Sequence, residues 1–117
     1  MTDLIEKIVS KWGFERHDDG DTPQFERIYR FFYFSIRIDF ARDFIEIYAR
    51  SKAEDKQVCS YQRTEFLRDF RNPDIWITKE EYDYWKLEFV IKDAIQEFMD
   101  NFFKYDLFHD KEWKDGK

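Results

Sequence analysis

The stretch from Thr78 to about Tyr105 holds apolar side chains at helical spacing and contains neither Gly nor Pro. Placed at steps of about 100°, these side chains form two stripes on one long helix. The first stripe, predicted to face the core, consists of Tyr84, Leu87, Ile91, Ala94, Ile95, Phe98 and Phe102. The second stripe lies about a third of a turn away and consists of Trp85, Phe89, Met99 and Phe103. One neighbouring sheet would cover only the first, so the second either has a cover of its own or is a binding surface.

A different period, of two residues, predicts strands upstream of this helix. Apolar and polar positions alternate strictly over 34–40 and again over 44–50. Residues 14–17 are a predicted first strand and 57–62 a predicted fourth, edge-type strand. The segment 27–32 fits either an extension of the 34–40 strand or a bulged start to it.

Two shorter helices are also predicted. Apolar residues between Leu4 and Trp12 recur at helical spacing, and Gly13 stands where a C-terminal cap belongs. A short helix over 64–70 is expected to stop before Pro73.

The resulting layout is a single domain over residues 1–117. It comprises a helix at 1–13, an antiparallel sheet within 14–62, a helical part at 64–108 and a flexible tail at 109–117. The fold class is α+β, in which an antiparallel sheet of three to four strands carries an N-terminal helix and a long C-terminal helix packed on it.

Charge is concentrated in the last third of the chain. The whole chain has a net charge of −6, and residues 80–115 alone contain five lysines and eleven acidic residues. Nucleic-acid binders normally carry a basic patch instead, because phosphate contacts require one. Direct contact with DNA or RNA is therefore not expected.

The single cysteine, Cys59, cannot form an internal disulfide, which suits a reducing compartment. The chain starts with an acidic amphipathic segment and not with the basic and apolar regions of a leader peptide. No apolar run approaches the roughly 18 residues of a membrane span. These features predict a cytoplasmic protein without membrane contact.

Catalytic chemistry is poorly supplied. His17 and His109 are the only histidines, and neither they nor Cys59 belong to a recognisable catalytic motif. The acidic turn Asp18-Asp19-Gly20-Asp21 lacks the alternating ligands of a calcium loop. We therefore expect no enzyme, no cofactor and no metal, with a small enzyme or small-molecule-binding domain using Cys59 and His17 as the alternative.

The second stripe and the acids beside it are the candidate binding surface. Aromatic anchors ringed by carboxylates suit a basic protein partner, because charge steers the encounter and aromatics supply most of the affinity. The candidate partner-binding residues are Glu80, Glu81, Asp83, Trp85, Phe89, Asp93, Glu97 and Asp100. Reversing Asp93, Glu97 and Asp100 to lysine is expected to leave stability nearly unchanged, since isolated surface charges contribute little. The opposing interpretation is that the aromatics are core and the acids a solvated face.

In size, in the acidic bias of residues 80–115 and in its order of helix, sheet and long helix, the chain resembles small acidic inhibitors encoded by phages and mobile elements. The anti-CRISPR type is the nearest in character. That resemblance implies a non-enzymatic protein that blocks a nucleic-acid-binding host nuclease by protein–protein contact. Bacterial toxin-immunity proteins, which block nuclease toxins in the same physical way, are the second class that it resembles.

Overall fold

The computed structural model describes residues 2–51, 59–70 and 79–116, with side chains of the last segment from Tyr84 onward. This part of the chain contains three helices, α1 Thr2–Ser10, α2 Lys79–Phe102 and α3 Lys111–Lys114. It contains five strands, β1 Glu15–Arg16, β2 Gln24–Tyr29, β3 Phe32–Asp39, β4 Phe44–Ser51 and β5 Ser60–Phe66. Short 3-10 turns lie at Leu67–Phe70 and Leu107–His109. The α+β class and the antiparallel sheet with packed helices are confirmed.

The five strands form one antiparallel meander in the order β1-β2-β3-β4-β5. The predicted count of three to four strands is wrong, because the chain reverses inside the segment that was left undecided. Tyr29 pairs with Phe32 across the two-residue turn of Arg30 and Phe31, and Arg30 has a φ of 55°. Such turns usually contain Gly, Asn or Asp. Arg30 and Phe31 are none of these, so the residue types did not indicate a turn here.

Strand β5 corrects a second prediction. Residues Thr64, Glu65 and Phe66 continue the strand, where a short helix over 64–70 was predicted. Phe66 pairs with Phe44 of β4, and the chain turns only at Leu67–Phe70. Pairing with β4 therefore outweighs the local helical pattern. The predicted start of this strand, at 57 and 58, lies outside the described residues.

Helix α2 packs its first stripe on the sheet. Five of the stripe's seven residues are fully buried, namely Leu87, Ile91, Ala94, Ile95 and Phe98. Tyr84 is partly buried, and Phe102 is exposed because it is the last residue of the helix. Phe40, the last apolar position of the 34–40 alternation, is likewise exposed because it lies in the turn after β3.

The second stripe of α2 divides into covered and exposed members. Met99 is fully buried, and the ring of Phe103 packs edge-on against Phe32 at 4.8 Å between centroids. Trp85 and Phe89 are exposed. The rest of the chain therefore covers Met99 and Phe103, whereas Trp85 and Phe89 remain exposed.

Residues 109–116 of the predicted flexible tail, 109–117, instead pack on the core through Trp113. Residues Lys111–Lys114 form α3, and Trp113 is 0% exposed. Its indole lies edge-on to the rings of Phe34 and Tyr29, with centroids 5.1 Å and 5.5 Å away. A lone tryptophan in a polar tail was the one signal of this packing, because burying such a large ring is strongly favourable.

A buried cation holds this C-terminal segment to the sheet. Arg27 of β2 is buried, and its guanidinium lies over the Trp113 ring at 4.1 Å. Its Nη1 donates a hydrogen bond to the Trp113 carbonyl at 2.9 Å. Burial lowers the pKa of Arg27 to about 10, so the side chain remains charged at neutral pH. At the end of the segment, Gly116 packs against Gly13. A Cβ added to Gly13 would lie 2.8 Å from the Gly116 carbonyl oxygen.

Asp110 is the polar anchor of the same segment. Its carboxylate accepts hydrogen bonds from the hydroxyls of Tyr105 at 2.6 Å and Tyr29 at 2.7 Å, and lies 3.4 Å from Arg30. It also caps α3 by accepting from the Glu112 amide at 3.0 Å. The bond from Tyr105, followed by that from Tyr29, lowers the pKa of Asp110 from 3.8 to about 2.

This shift predicts a pH dependence of stability. Because the pKa of Asp110 is lower in the folded chain, its contribution is present above about pH 4 and is lost as the pH falls through about 2. Asp110→Asn is expected to lower the free energy of unfolding at pH 7 and to reduce the loss of stability between pH 4 and pH 2. Urea unfolding at these pH values measures both. An unchanged acid limb in the variant would contradict this role.

A third effect on stability concerns the end of α2. Lys104 has a φ of 51°, and its amide donates to the Met99 carbonyl at 2.7 Å. Glycine is the usual residue in this left-handed position after a helix. Lys104→Gly is expected to raise the free energy of unfolding by about 0.5–1 kcal/mol, because it relieves the Cβ clash at some entropic cost. Lys104→Ala retains the clash, so an equal gain in both variants would contradict the explanation.

Candidate functional site

A surface groove with a volume of about 410 Å³ runs along α2. We call it the α2 groove, and its lining residues are Tyr84, Trp85, Glu88, Phe89, Lys92, Asp93, Gln96, Asp106 and Phe108. Seven of these residues belong to α2, and the other two to the segment that returns after the helix. The groove therefore depends on how this return segment is held against α2.

Gln96 holds the return segment in place. Its Nε2 donates to the Tyr105 carbonyl at 2.8 Å, and its Oε1 accepts from the Leu107 amide at 3.1 Å. These bonds bring Phe108 and Asp106 alongside α2. Sequence reasoning missed Gln96, Asp106 and Phe108, because only tertiary contacts identify a helix residue that binds a distant backbone.

Trp85 and Phe89 are the aromatic part of the α2 groove. They are 63% and 59% exposed, although both side chains are large and apolar. One helical turn apart, their rings stack with centroids 6.3 Å apart and an interplanar angle of 27°. At about 100° per residue they lie on the side of α2 opposite Ile91 and Phe98. The sheet consequently cannot cover them, and together they form an apolar surface rimmed by polar groups, as binding sites often do.

Carboxylates line the same groove, and two of the three are paired with a cation from another element. Glu88 lies 2.8 Å from Nζ of Lys11, and Asp93 lies 2.8 Å from Nη1 of Arg63. Asp106 contacts the imidazole of His109. The acids are thus positioned by the fold, and among the described lining residues only Lys92 adds a lysine or arginine charge.

The predicted acidic face is partly structural. Asp93 binds Arg63, and Glu97 accepts a hydrogen bond from the Tyr61 hydroxyl at 2.7 Å. Burial disfavours the charge on Arg63, but its hydrogen bonds to Asp93 and Glu65 outweigh this effect and raise its pKa. Reversing Asp93 would place a lysine against Arg63. These contacts give reason to expect that reversing Asp93 and Glu97 lowers stability, in contrast to the nearly unchanged stability expected for isolated surface charges.

The other predicted partner-binding acids lie along the same helix. Asp100 is exposed and accepts a hydrogen bond from Gln96 at 2.8 Å. Glu80, Glu81 and Asp83 belong to the first turns of α2, and their side chains lie outside the described part. Over its full length α2 contains seven acidic residues and three lysines, so its net charge is −4.

Most of the residues considered for catalysis and metal binding lie away from the α2 groove. His109 is the exception, because it contacts Asp106 of the groove lining. His17 is exposed beside Glu15, with Nε2 and Oε2 separated by 3.4 Å. Cys59 is half-buried just before β5. In the acidic turn, Asp18 binds Nε of Arg16 at 2.8 Å. Among the described residues there is no group of three His, Cys, Asp or Glu side chains suited to holding a metal ion.

Neither a membrane-spanning helix in the described part of the chain nor a known relative indicates what this protein does. No helix within the described ranges is long and apolar enough to span a bilayer. No known protein family, curated protein or solved structure matches this chain.

Proposed function

We propose that this protein is a non-enzymatic binding protein that engages a basic partner protein through the α2 groove. The observation that carries the proposal is the exposure of the stacked pair Trp85 and Phe89. When a partner covers exposed tryptophan and phenylalanine side chains, their apolar surface is removed from water, which favours binding. Such aromatics supply much of the binding free energy at protein interfaces.

Charge supports a basic partner. The groove acids Glu88, Asp93 and Asp106 lie beside the aromatic pair, and α2, which carries the first two, has a net charge of −4. Fixed negative charge raises the association rate of a positively charged protein and disfavours an acidic one. Because Glu88 and Asp93 already have intramolecular cations, the acids steer the partner's approach more than they add affinity, and the aromatics supply the affinity.

Nucleases and other nucleic-acid-handling proteins are the partner class that this surface suits best, because their binding clefts are basic. In this proposal the protein acts as an inhibitor of the anti-CRISPR type, covering such a cleft and keeping nucleic acid out. A toxin-immunity protein would use the same surface on a nuclease toxin.

The test begins with affinity capture from the native host at low salt, using the wild type and Trp85→Ala/Phe89→Ala as parallel baits. Phe40→Ala is the matched control, since Phe40 is also exposed but lies at the end of β3. The wild type and the control are expected to capture one basic nuclease that the double variant does not. The purified nuclease should then be inhibited by the wild type and, at equal concentration, not by the double variant.

Two results would overturn the proposal. One is equal capture of the same nuclease by the wild type and the double variant. The other is a captured protein that is acidic, or a nuclease whose cleavage of nucleic acid the wild type leaves unaffected.

A further inference from the structure

In the part of the chain that the structure describes, strand β5 is paired on one side only, with β4. Along the strand, Leu67 donates its amide to the Asp43 carbonyl, and Cys59 accepts from the Ser51 amide. Both contacts are with β4 or its flanking turn, so the odd-numbered residues of this segment direct their backbone groups towards β4. In an antiparallel ladder the alternate residues point the other way. The amides and carbonyls of Ser60, Gln62, Thr64 and Phe66 therefore face the outer edge.

Within the described ranges, none of these four outward-facing residues has a backbone partner on that side. The edge is seven residues long and contains neither Pro nor Lys, which are common devices for blocking strand addition. Its outward-facing amides and carbonyls are a template for one more strand.

We infer that this edge pairs with β5 of a second copy of the chain, antiparallel, with Thr64 opposite Thr64 on the two-fold axis. In this register Arg63 of each copy faces Glu65 of the other, which gives two cross-strand pairs of opposite charge. The neighbouring register, centred on Arg63, would place two arginines opposite each other. The sequence of β5 therefore favours the Thr64-centred register over that one.

The pairing is sterically simple. Thr64 is exposed, as are Gln62 and Phe66, which would lie opposite each other. The three opposed pairs would form about six backbone hydrogen bonds, joining two five-stranded sheets into one continuous sheet. The α2 groove takes no residue from β5, so this interface does not depend on the proposed function.

The test combines cross-linking with sedimentation. Thr64→Cys, made with Cys59→Ala, places two thiols at directly opposed positions, where the Cα atoms are about 5.5 Å apart and a disulfide fits. Gln62→Cys in the same background is the matched control, because its two copies would lie about 13 Å apart along the strands. Thr64→Cys is expected to form covalent dimers at least about tenfold faster than the control, since only its thiols are within bridging distance.

Sedimentation of the unmodified chain completes the test. The wild type and Thr64→Val should form a concentration-dependent dimer, whereas Thr64→Pro, which lacks the outward amide, should remain a monomer. The bond from β5 to β4 does not use that amide, so the monomer should stay folded. A wild type that is monomeric at every concentration, or cysteine variants that cross-link at equal rates, would overturn the inference.

Discussion

Replacing Trp113 with alanine is expected to lower the free energy of unfolding by about 3–5 kcal/mol. The indole is fully buried against aromatic rings of two strands, and Arg27 stacks on it. Its removal would leave a cavity at the junction of sheet and C-terminal segment, with a buried guanidinium above it. Equilibrium urea unfolding followed by circular dichroism measures the change.

Trp113→Phe is the matched control for this prediction. The buried indole nitrogen has no hydrogen-bond partner among the residues that the structure describes, so phenylalanine loses ring area without losing a bond seen there. It should cost less than half as much as alanine. An alanine variant as stable as the wild type would mean that residues 109–116 do not pack on the core.

Phe98→Ala is expected to cost a similar amount, about 3–5 kcal/mol. Phe98 is fully buried where α2 crosses the sheet, and its ring lies edge-on to Phe32 and Phe34 with centroids 6.4 Å and 6.1 Å away. Phe102, four residues further along the same helix, is exposed, so Phe102→Ala should cost under about 1 kcal/mol. Equal losses for the two variants would contradict the orientation of α2.

Local periodicity predicted the parts of the fold that local rules determine. The alternation of apolar residues identified β3 and β4, and the helical period identified the buried face of α2 through Ile91 and Phe98. The reversal at Arg30 and Phe31 was missed because neither residue is a usual turn former. The packing of Trp113 was missed because it depends on Arg27 and other residues distant in sequence.

The candidate site shows the same division. The helical pattern placed Trp85 and Phe89 together with Met99 in one stripe. It could not show which of them the rest of the chain covers, because the elements that pack on α2, such as α1 and the turn at Leu107–His109, are brought there by the tertiary fold. In the same way, the acids of α2 were evident, whereas their partners Arg63 and Tyr61 come from β5. Sequence reasoning therefore identified the surface but not its internal bonds.

Dissociation of the complex is the most direct measure of whether the α2 groove is the functional interface. With the captured partner immobilised, the wild type and Trp85→Ala/Phe89→Ala are compared by surface plasmon resonance at two salt concentrations. If the α2 groove is the interface, the double variant should dissociate at least about 30-fold faster, as expected when hot-spot aromatics are removed. Its free energy of unfolding should stay near that of the wild type. It also predicts that wild-type association slows as salt rises, because steering by exposed charge is screened. Equal dissociation rates for the two proteins would contradict the assignment of the groove.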